Sequence, residues 1–539
     1  MNFTEHVEIR LSTLSPVHIG CGEDYEPTSF VIQEGALYHF EPSEAVLPKP
    51  DREALLNLVD APQISLAGLR KFFKDRSQHF LPHTTRIVPV TSAVEASYQK
   101  SFTDQQARND AKLEIDRGFY NPFDGQPVIP GSSIKGAIST AVLDILNGYK
   151  GGNWRAKEHA SMQRELMGGS FNTDPLRLFK VSDARYLTPD RIGSKILFAV
   201  SRRKKPKILN GRSDDQGQGI PTYKECLPAR RHHAFALTLD FAQPIAQMPD
   251  KQPKPDKVLL RNFSELAKIC NRFYRSQLTH EIALLQGRGF LDSDWADTLL
   301  RELQGGDLGK RLETGKACLL RVGRHSGAVA MTLNGMRQIK IMQARGTPPT
   351  YEHDTRQIWL AADRKDATGD MLPFGWVLLE PANADPINGL RNWFDQAAQQ
   401  DDGWLQPRLA QLDQWRAEVE ARQAELAAKS AREVEQLAAE QVEAERRASL
   451  SPALREVAEF IASARRRVEQ LRGVKENLNA DFHNRARKFA ATALENGAWT
   501  AEEKRAVADA IAEYLPQVVK GIDKDQLKKL KLGALRGNV

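Results

Sequence analysis

The sequence predicts an α+β protein with antiparallel sheets, followed by an all-helical extension. Three observations carry this prediction. Short apolar/polar alternations recur through the first two-thirds of the chain, an extended segment ending at Ile129 turns into a periodic helix, and from about residue 396 the composition shifts to Ala, Glu, Gln and Arg. Strands and helices in mixed order, with polar insertions between them, describe α+β rather than a regular alternation.

Val7, Ile9 and Leu11 alternate with polar residues, and a second alternating run from Ser29 to Phe40 is broken by Glu34-Gly35, so residues 5–40 predict two strands. A glycine-containing loop, Pro16-Val17-His18-Ile19-Gly20-Cys21-Gly22-Glu23, joins them. Residues 42–118 read as mostly helical and polar, including Leu66 to Phe73 and Asp104 to Arg117. In Ile129-Pro130-Gly131-Ser132-Ser133-Ile134-Lys135-Gly136, Pro130 disfavours helix at the residue before it, Gly131 permits the turn, and Ser132 or Ser133 can N-cap a helix beginning there. Ile134, Ile138, Val142 and Ile145 then recur at helical spacing. This corner gathers backbone amides, two hydroxyls and Lys135 at a positive helix end where a phosphate can sit, although a plain strand–turn–helix corner has the same spelling.

Residues 148–175 read as a loop-rich stretch. Leu178 to Ala184, Ile196 to Val200 and Ala234 to Phe241 predict strands, and the basic, Gly-rich segment 201–221 predicts a flexible loop. Helical patterns occupy 258–305, with short strands at Ala317–Val322, Gln357–Ala361 and Trp376–Leu379, the last two completing a second sheet. Residues 405–450 predict a long exposed helix or helical hairpin with imperfect heptads, and 453–539 a small helical unit.

A chain of 539 residues accommodates two to four domains. Its net charge of +7 and pI near 9.0 point mildly to a polyanionic partner. The cations cluster in Arg202–Lys207, Arg230–His233 and Arg465–Arg467, each of which also suits a solvated face. Four scattered cysteines without a CxxC pair argue against structural zinc and a disulfide framework. No apolar run reaches the ~18 residues of a membrane span and the N-terminus lacks a signal pattern, so no membrane association and a cytoplasmic location are expected.

Several chemistries are excluded. Gly315-Lys316-Ala317 lacks the spacing and hydroxyl of a P-loop, no HExxH or GxSxG occurs, and Gly131-Ser132-Ser133 lacks the second glycine of a nucleophile elbow. His18 titrates in the range of a general acid or base, but a loop histidine bonded to backbone or phosphate reads the same. Glu23, Asp24 and Glu26 read as an exposed acidic loop rather than a cation site. Arg324 and His325, between Gly323 and Gly327, suit phosphate or base contact, or a tight turn.

Three separated segments together resemble the RAMP superfamily of CRISPR proteins. Leu14–Glu23 is similar to its N-terminal signature, Ile129–Ile138 to its most specific motif, written IPGSSLKG in many members, and Val322–Gly327 to its C-terminal glycine-rich loop. Leu178–Ala184 also matches a short strand motif of that superfamily. The order and the Ser-Pro-Val-His-Ile-Gly spelling look most like the fifth, end-capping subunit of type III-A (Csm) effector complexes. The resemblance implies two ferredoxin-like (RRM-like) domains with helical insertions. The first would span 1–241 with its insert at 42–118 and the second 242–395, followed by a long charged helix at 396–450 and a helical domain at 451–539. It further implies a structural RNA-binding subunit in antiviral defence that caps the 5′ tag end of the guide RNA and contacts target RNA and neighbouring RAMP backbone subunits. The RNA-binding residues would be His18, Gly20, Gly22, Ser132, Ser133, Lys135, Gly136, Arg324, His325 and Ser326, with no cofactor and no metal. The aspartate with which the backbone subunits cut RNA has no counterpart, since Thr28-Ser29-Phe30-Val31 stands near its place and Asp24 lies closer to the glycines. No catalytic residue is therefore expected. The alternatives are a metal-independent guide-processing endoribonuclease using His18 or His325, and an adaptor that recruits other subunits or nucleases through the helical tail.

Overall fold

The computed structural model describes residues 4–62, 65–103, 113–149, 159–188, 191–209, 212–243, 252–254, 257–343 and 346–537. They fall into two units, Met1–Val419 and Glu420–Val539. No helix among the described residues is long and apolar enough to cross a membrane.

In the first unit the Thr4–Thr13 strand buries Ile9 and Leu11 and pairs antiparallel with Arg231–Ala242 on one side and Trp376–Pro381 on the other. Cys318–Arg321 extends this sheet beyond Trp376–Pro381, while Phe179–Val181, Ala184–Tyr186 and Val128–Ile129 extend it beyond Arg231–Ala242. The helices Gly131–Tyr149 and Phe263–Gly287 pack with it in one apolar core, where Tyr274 donates to the Ala137 carbonyl at 3.0 Å. Taken along the chain, 4–13, helix 131–149, 184–186, 231–242, helix 263–287 and 376–381 make a βαββαβ unit with ferredoxin-like strand order.

A second sheet runs Leu372–Pro373, Gln357–Ala362, Lys195–Leu209, Thr222–Cys226, Ile115–Gly118, Gly20–Asp24, with Arg212–Gln216 paired to Lys195–Leu209. The strands at 357–361 and 376–379 do not form a separate sheet. They pair with strands from before residue 242, one in each sheet, so a boundary at 241/242 passes through both. Alternation marks a strand, but its partner is chosen by non-local packing.

Three further expectations change. Residues 201–221 are not a loop but largely a hairpin of Lys195–Leu209 and Arg212–Gln216. Gly20–Asp24, read as loop, is a strand against Ile115–Gly118. The helix expected over 104–117 lies outside the described residues at 104–112, and its end is that 115–118 strand. The polar insert adds the Thr84–Pro89 strand to the Phe30–Gln33/Ala36–Phe40 hairpin, making a three-stranded sheet with a small aromatic core in which Phe40 stacks on Phe80 at 5.1 Å.

Asn388–Ser449 is a single helix rather than a hairpin. In the second unit the helices Pro452–Leu471, Asp481–Glu495 and Ala501–Val518 enclose Phe460, Phe482, Ile511 and Leu515 in a core of their own. Ser451 caps the first of these and a Thr500/Glu503 capping box starts the third.

The start of the 131–149 helix differs from the serine cap expected. The Gly131 amide donates to the Asp183 carboxylate at 2.7 Å, so an anion from the neighbouring strand connection sits at the positive helix end. A Cβ at Gly131 would lie 2.5 Å from the Val181 carbonyl and 2.7 Å from that of Ser182. Gly131→Ala is therefore expected to destabilise the first unit by about 2 kcal/mol in denaturant titrations, the cost of overpacking a rigid contact.

Candidate nucleic-acid interface

The two glycine-bounded loops of the sequence motifs meet. Arg324 donates its amide to the His18 carbonyl at 2.8 Å. Gly323 permits the approach, since its φ is 82° and a Cβ there would stand 2.6 Å from the same oxygen. Both loops close on the Thr222–Cys226 strand, which supplies Lys224 and Glu225.

His18 is fully buried, and its Nδ1 lies 2.7 Å from the Glu225 carbonyl. A carbonyl only accepts, so Nδ1 carries the proton and Nε2 is left as an acceptor without a partner. Burial, with Lys224 and Arg324 adding to it, lowers the His18 pKa to about 4. His325 has φ 65°, and its ring lies 5.1 Å from Trp359 and 5.2 Å from Phe374. Its Nε2 is likewise buried and unpartnered, and burial followed by the Lys224 charge takes its pKa down to about 3. Both imidazoles are neutral at physiological pH.

The charges around them are partly spent. Burial lowers the Lys224 pKa to about 8, with Arg324 adding to it, and its ammonium pairs with Asp116. Arg324 reaches the same carboxylate at 3.3 Å yet keeps 63% of its side chain exposed, so it is a cation presented to solvent. Ser326 is buried, and Gly20 and Gly22 lie along the exposed edge strand beside this cluster.

Beneath lies a group the sequence motifs do not announce. The Glu225 carboxylate, 1% exposed, accepts from Ser194 Oγ at 2.7 Å, Gly118 N at 2.9 Å and Tyr25 Oη at 3.0 Å, and pairs with Arg86. Burial alone would raise its pKa, but Arg86 and these donors outweigh that and hold it below the ordinary carboxylate range. Its only sequence signal is a charged pair, Lys224-Glu225, inside a short strand, and no periodicity identifies its four partners.

The third motif stands apart from this cluster. Lys135 donates to the Leu176 and Phe179 carbonyls at 2.9 and 2.7 Å, so its ammonium ties the helix to the turn that leads into the Phe179–Val181 strand, and burial lowers its pKa. Ser132 and Gly136 are exposed and Ser133 is half-buried. The corner's helix reaches the segment that follows the 323–327 loop through Asp144, which accepts from the Asn334 amide at 2.6 Å. The basic runs are also partly committed internally. Arg202 is buried on backbone carbonyls, Lys204 pairs with Asp354 at 2.6 Å, and Arg230 and Arg231 pair with Asp292 and Asp401 at 3.3 and 2.7 Å. His232, His233 and Glu380 bring potential ligand atoms within 4.8 Å of one another, while the two imidazoles stack at 3.8 Å and Arg311 holds Glu380 at 3.2 Å.

The His18 pKa sets a pH dependence. A folded pKa of about 4 against 6.5 unfolded means that this contribution to stability is complete above pH 6.5 and lost as pH falls toward 4. In denaturant titrations between those values, His18→Asn, which keeps a donor toward Glu225, is expected to remove up to about 3 kcal/mol of the acid loss. An unchanged pH profile in that variant would contradict the assignment.

Comparison with known proteins finds a family likeness in the part of the chain that carries the His18 segment. Residues 10–266 match the model of the RAMP superfamily. A curated relative, the CRISPR system protein Csm5 of Methanocaldococcus jannaschii, is 24% identical over 144 residues, covering 25% of this chain and 30% of that protein. The chain thus spans under a third of that relative's length. Among solved structures, a chain of a Csm–crRNA–target RNA ternary complex from a type III-A CRISPR–Cas system aligns over 70% of this chain and 100% of its own, with 16% identity and a TM-score of 0.44. T. onnurineus Csm5 aligns over 69% of this chain and 99% of its own, with 17% identity and a TM-score of 0.41. The segment 10–266, which carries the His18 loop, the 129–138 corner and the Glu225 strand, is thus similar to the RAMP superfamily, and part of the chain is similar to Csm5.

Proposed function

We propose that this chain is a structural, RNA-binding subunit of a type III CRISPR ribonucleoprotein, acting in the cytoplasm at the end of the complex that holds the 5′ tag of the guide RNA. The observation that carries this reading is the junction of the 18–22 and 323–327 loops, which presents the exposed Arg324 guanidinium beside glycine backbone at Gly22 and Gly327. A guanidinium with glycine loops around it suits a ribose-phosphate chain, and contact of this kind is salt-dependent and tolerant of sequence. Guide RNA, target RNA and a neighbouring RAMP backbone subunit are the partners in this reading.

The state of the two histidines favours holding RNA over cutting it. Metal-independent cleavage needs one base and one acid near neutral pH. Here both imidazoles are buried and neutral, and the adjacent Lys224 ammonium is paired with Asp116. The corner at 131–136 acts in this reading as scaffold, with Lys135 spent on carbonyls.

In a reconstituted complex, Arg324→Ala is expected to weaken guide-RNA retention and to reduce the log–log salt slope by about 0.7, the loss of one phosphate contact on a single strand. Its thermal stability should stay unchanged. Lys135→Met should show the opposite pattern, with lower stability and little change in salt slope. Retention indifferent to Arg324 would refute the assignment. With repeat RNA in EDTA, the purified chain is expected to give no discrete cuts, and cleavage abolished by His18→Ala would replace this reading with the endoribonuclease.

A further inference from the structure

The helical unit 420–539 carries a groove of about 410 Å³ that the motifs above do not touch. One wall is a stripe of the 452–471 helix, Ser463, Arg466, Arg467 and Gln470, spaced i, i+3, i+4 and i+7 so that all four share a face. The other wall is the first turns of the 481–495 helix, with Asp481, Phe482 and Arg485.

We propose that this groove is a second polyanion site, and that its ligand is the phosphate backbone of a single-stranded polynucleotide. Three guanidiniums converge there. Arg485 is steadied by Ser463 Oγ at 2.9 Å across the groove, and Arg467 is held by Glu476, which is 7% exposed, and by Gln470 at 3.3 Å. Arg466 uses only its Nε, on the Ala462 carbonyl at 3.4 Å, and its Nη groups have no partner among the described residues. Guanidinium forks match phosphate oxygens bidentately.

A protein partner needs buried apolar anchors at the centre of its interface. This groove offers none, because its one apolar side chain, Phe482, is 5% exposed and belongs to the unit's core, stacked near Phe460 at 5.2 Å. The same lack of an exposed ring leaves nothing for a base to stack on, so recognition is confined to phosphates. Two carboxylates oppose it: Glu476 is neutralised by Arg467, whereas Asp481, exposed at the helix start, is the one anion facing a bound strand. The unit has its own core, and the residues that line the groove all belong to this unit.

The test uses the full chain and a short fluorescent poly(U) strand, read by anisotropy across a salt series, in both wild-type and Arg324→Ala backgrounds. Arg466→Glu with Arg485→Glu should weaken binding at least about tenfold in each background, and Arg466→Ser with Arg485→Ser should reduce the magnitude of the salt slope by about 1.4, two phosphate contacts on a single strand. Arg466→Lys with Arg485→Lys should keep most of the affinity, and circular dichroism of all variants should keep the helical signal. Poly(U) binding that charge reversal leaves unchanged would overturn the proposal. So would a poly-Glu peptide that loses binding in the reversed variant while poly(U) does not. Because Arg324 is varied separately, the result stands or falls independently of the guide-binding reading.

Discussion

The buried Glu225 carboxylate is the constraint on which the rest of the first unit depends. A charge taken out of water is tolerated only when it is paired and its lone pairs are filled, and removing one partner of such a set costs about 3–5 kcal/mol. Glu225 meets that demand with donors from four places in the chain: Tyr25, Arg86, Gly118 and Ser194. Tyr25 precedes the polar insert, Arg86 lies within it, Gly118 ends the 115–118 strand of the second sheet and Ser194 stands just before the 195–209 strand. The same residue's carbonyl fixes the His18 ring, so one position joins the insert, the sheet and the first signature loop.

That hub explains why the surface above it is built as it is. The Glu225 charge still favours a protonated His18, but burial outweighs it and leaves the imidazole neutral. Lys224, the preceding residue, discharges onto Asp116, leaving Arg324 as the cation of this cluster that reaches solvent. The chemistry is one of acceptors and a presented positive charge, without a matched acid and base. The two loops that supply it are held by a single short hydrogen bond that only glycine at 323 permits.

Much of the fold was legible locally. The extended character of Ser29–Phe40, the helix from the 129–138 corner, a helix within 258–305 and the long charged helix are readable from periodicity and turn residues, because these signals lie within a few residues. The failures share a cause. The 201–221 stretch reads as a loop because its cations and glycines disfavour a strand, yet pairing with 212–216 and 357–362 holds it extended. Lys135 reads as a phosphate ligand because it stands at a helix start, yet two carbonyls 41 and 44 residues further along the chain claim it. Glu225 carries no local signature, since nothing near it in sequence supplies its partners.

By itself, the sequence determined the fold class, the helical extension and the three RAMP-like segments, because short spacings and glycine turns are properties of the chain within a few residues. Tertiary structure alone decided that strands from both sides of residue 242 share two sheets, and that two of the three segments converge while the third becomes scaffold. It also decided which of many cations stay free. A side chain's charge is written in the sequence, but its availability depends on the acceptors that folding brings within hydrogen-bond reach.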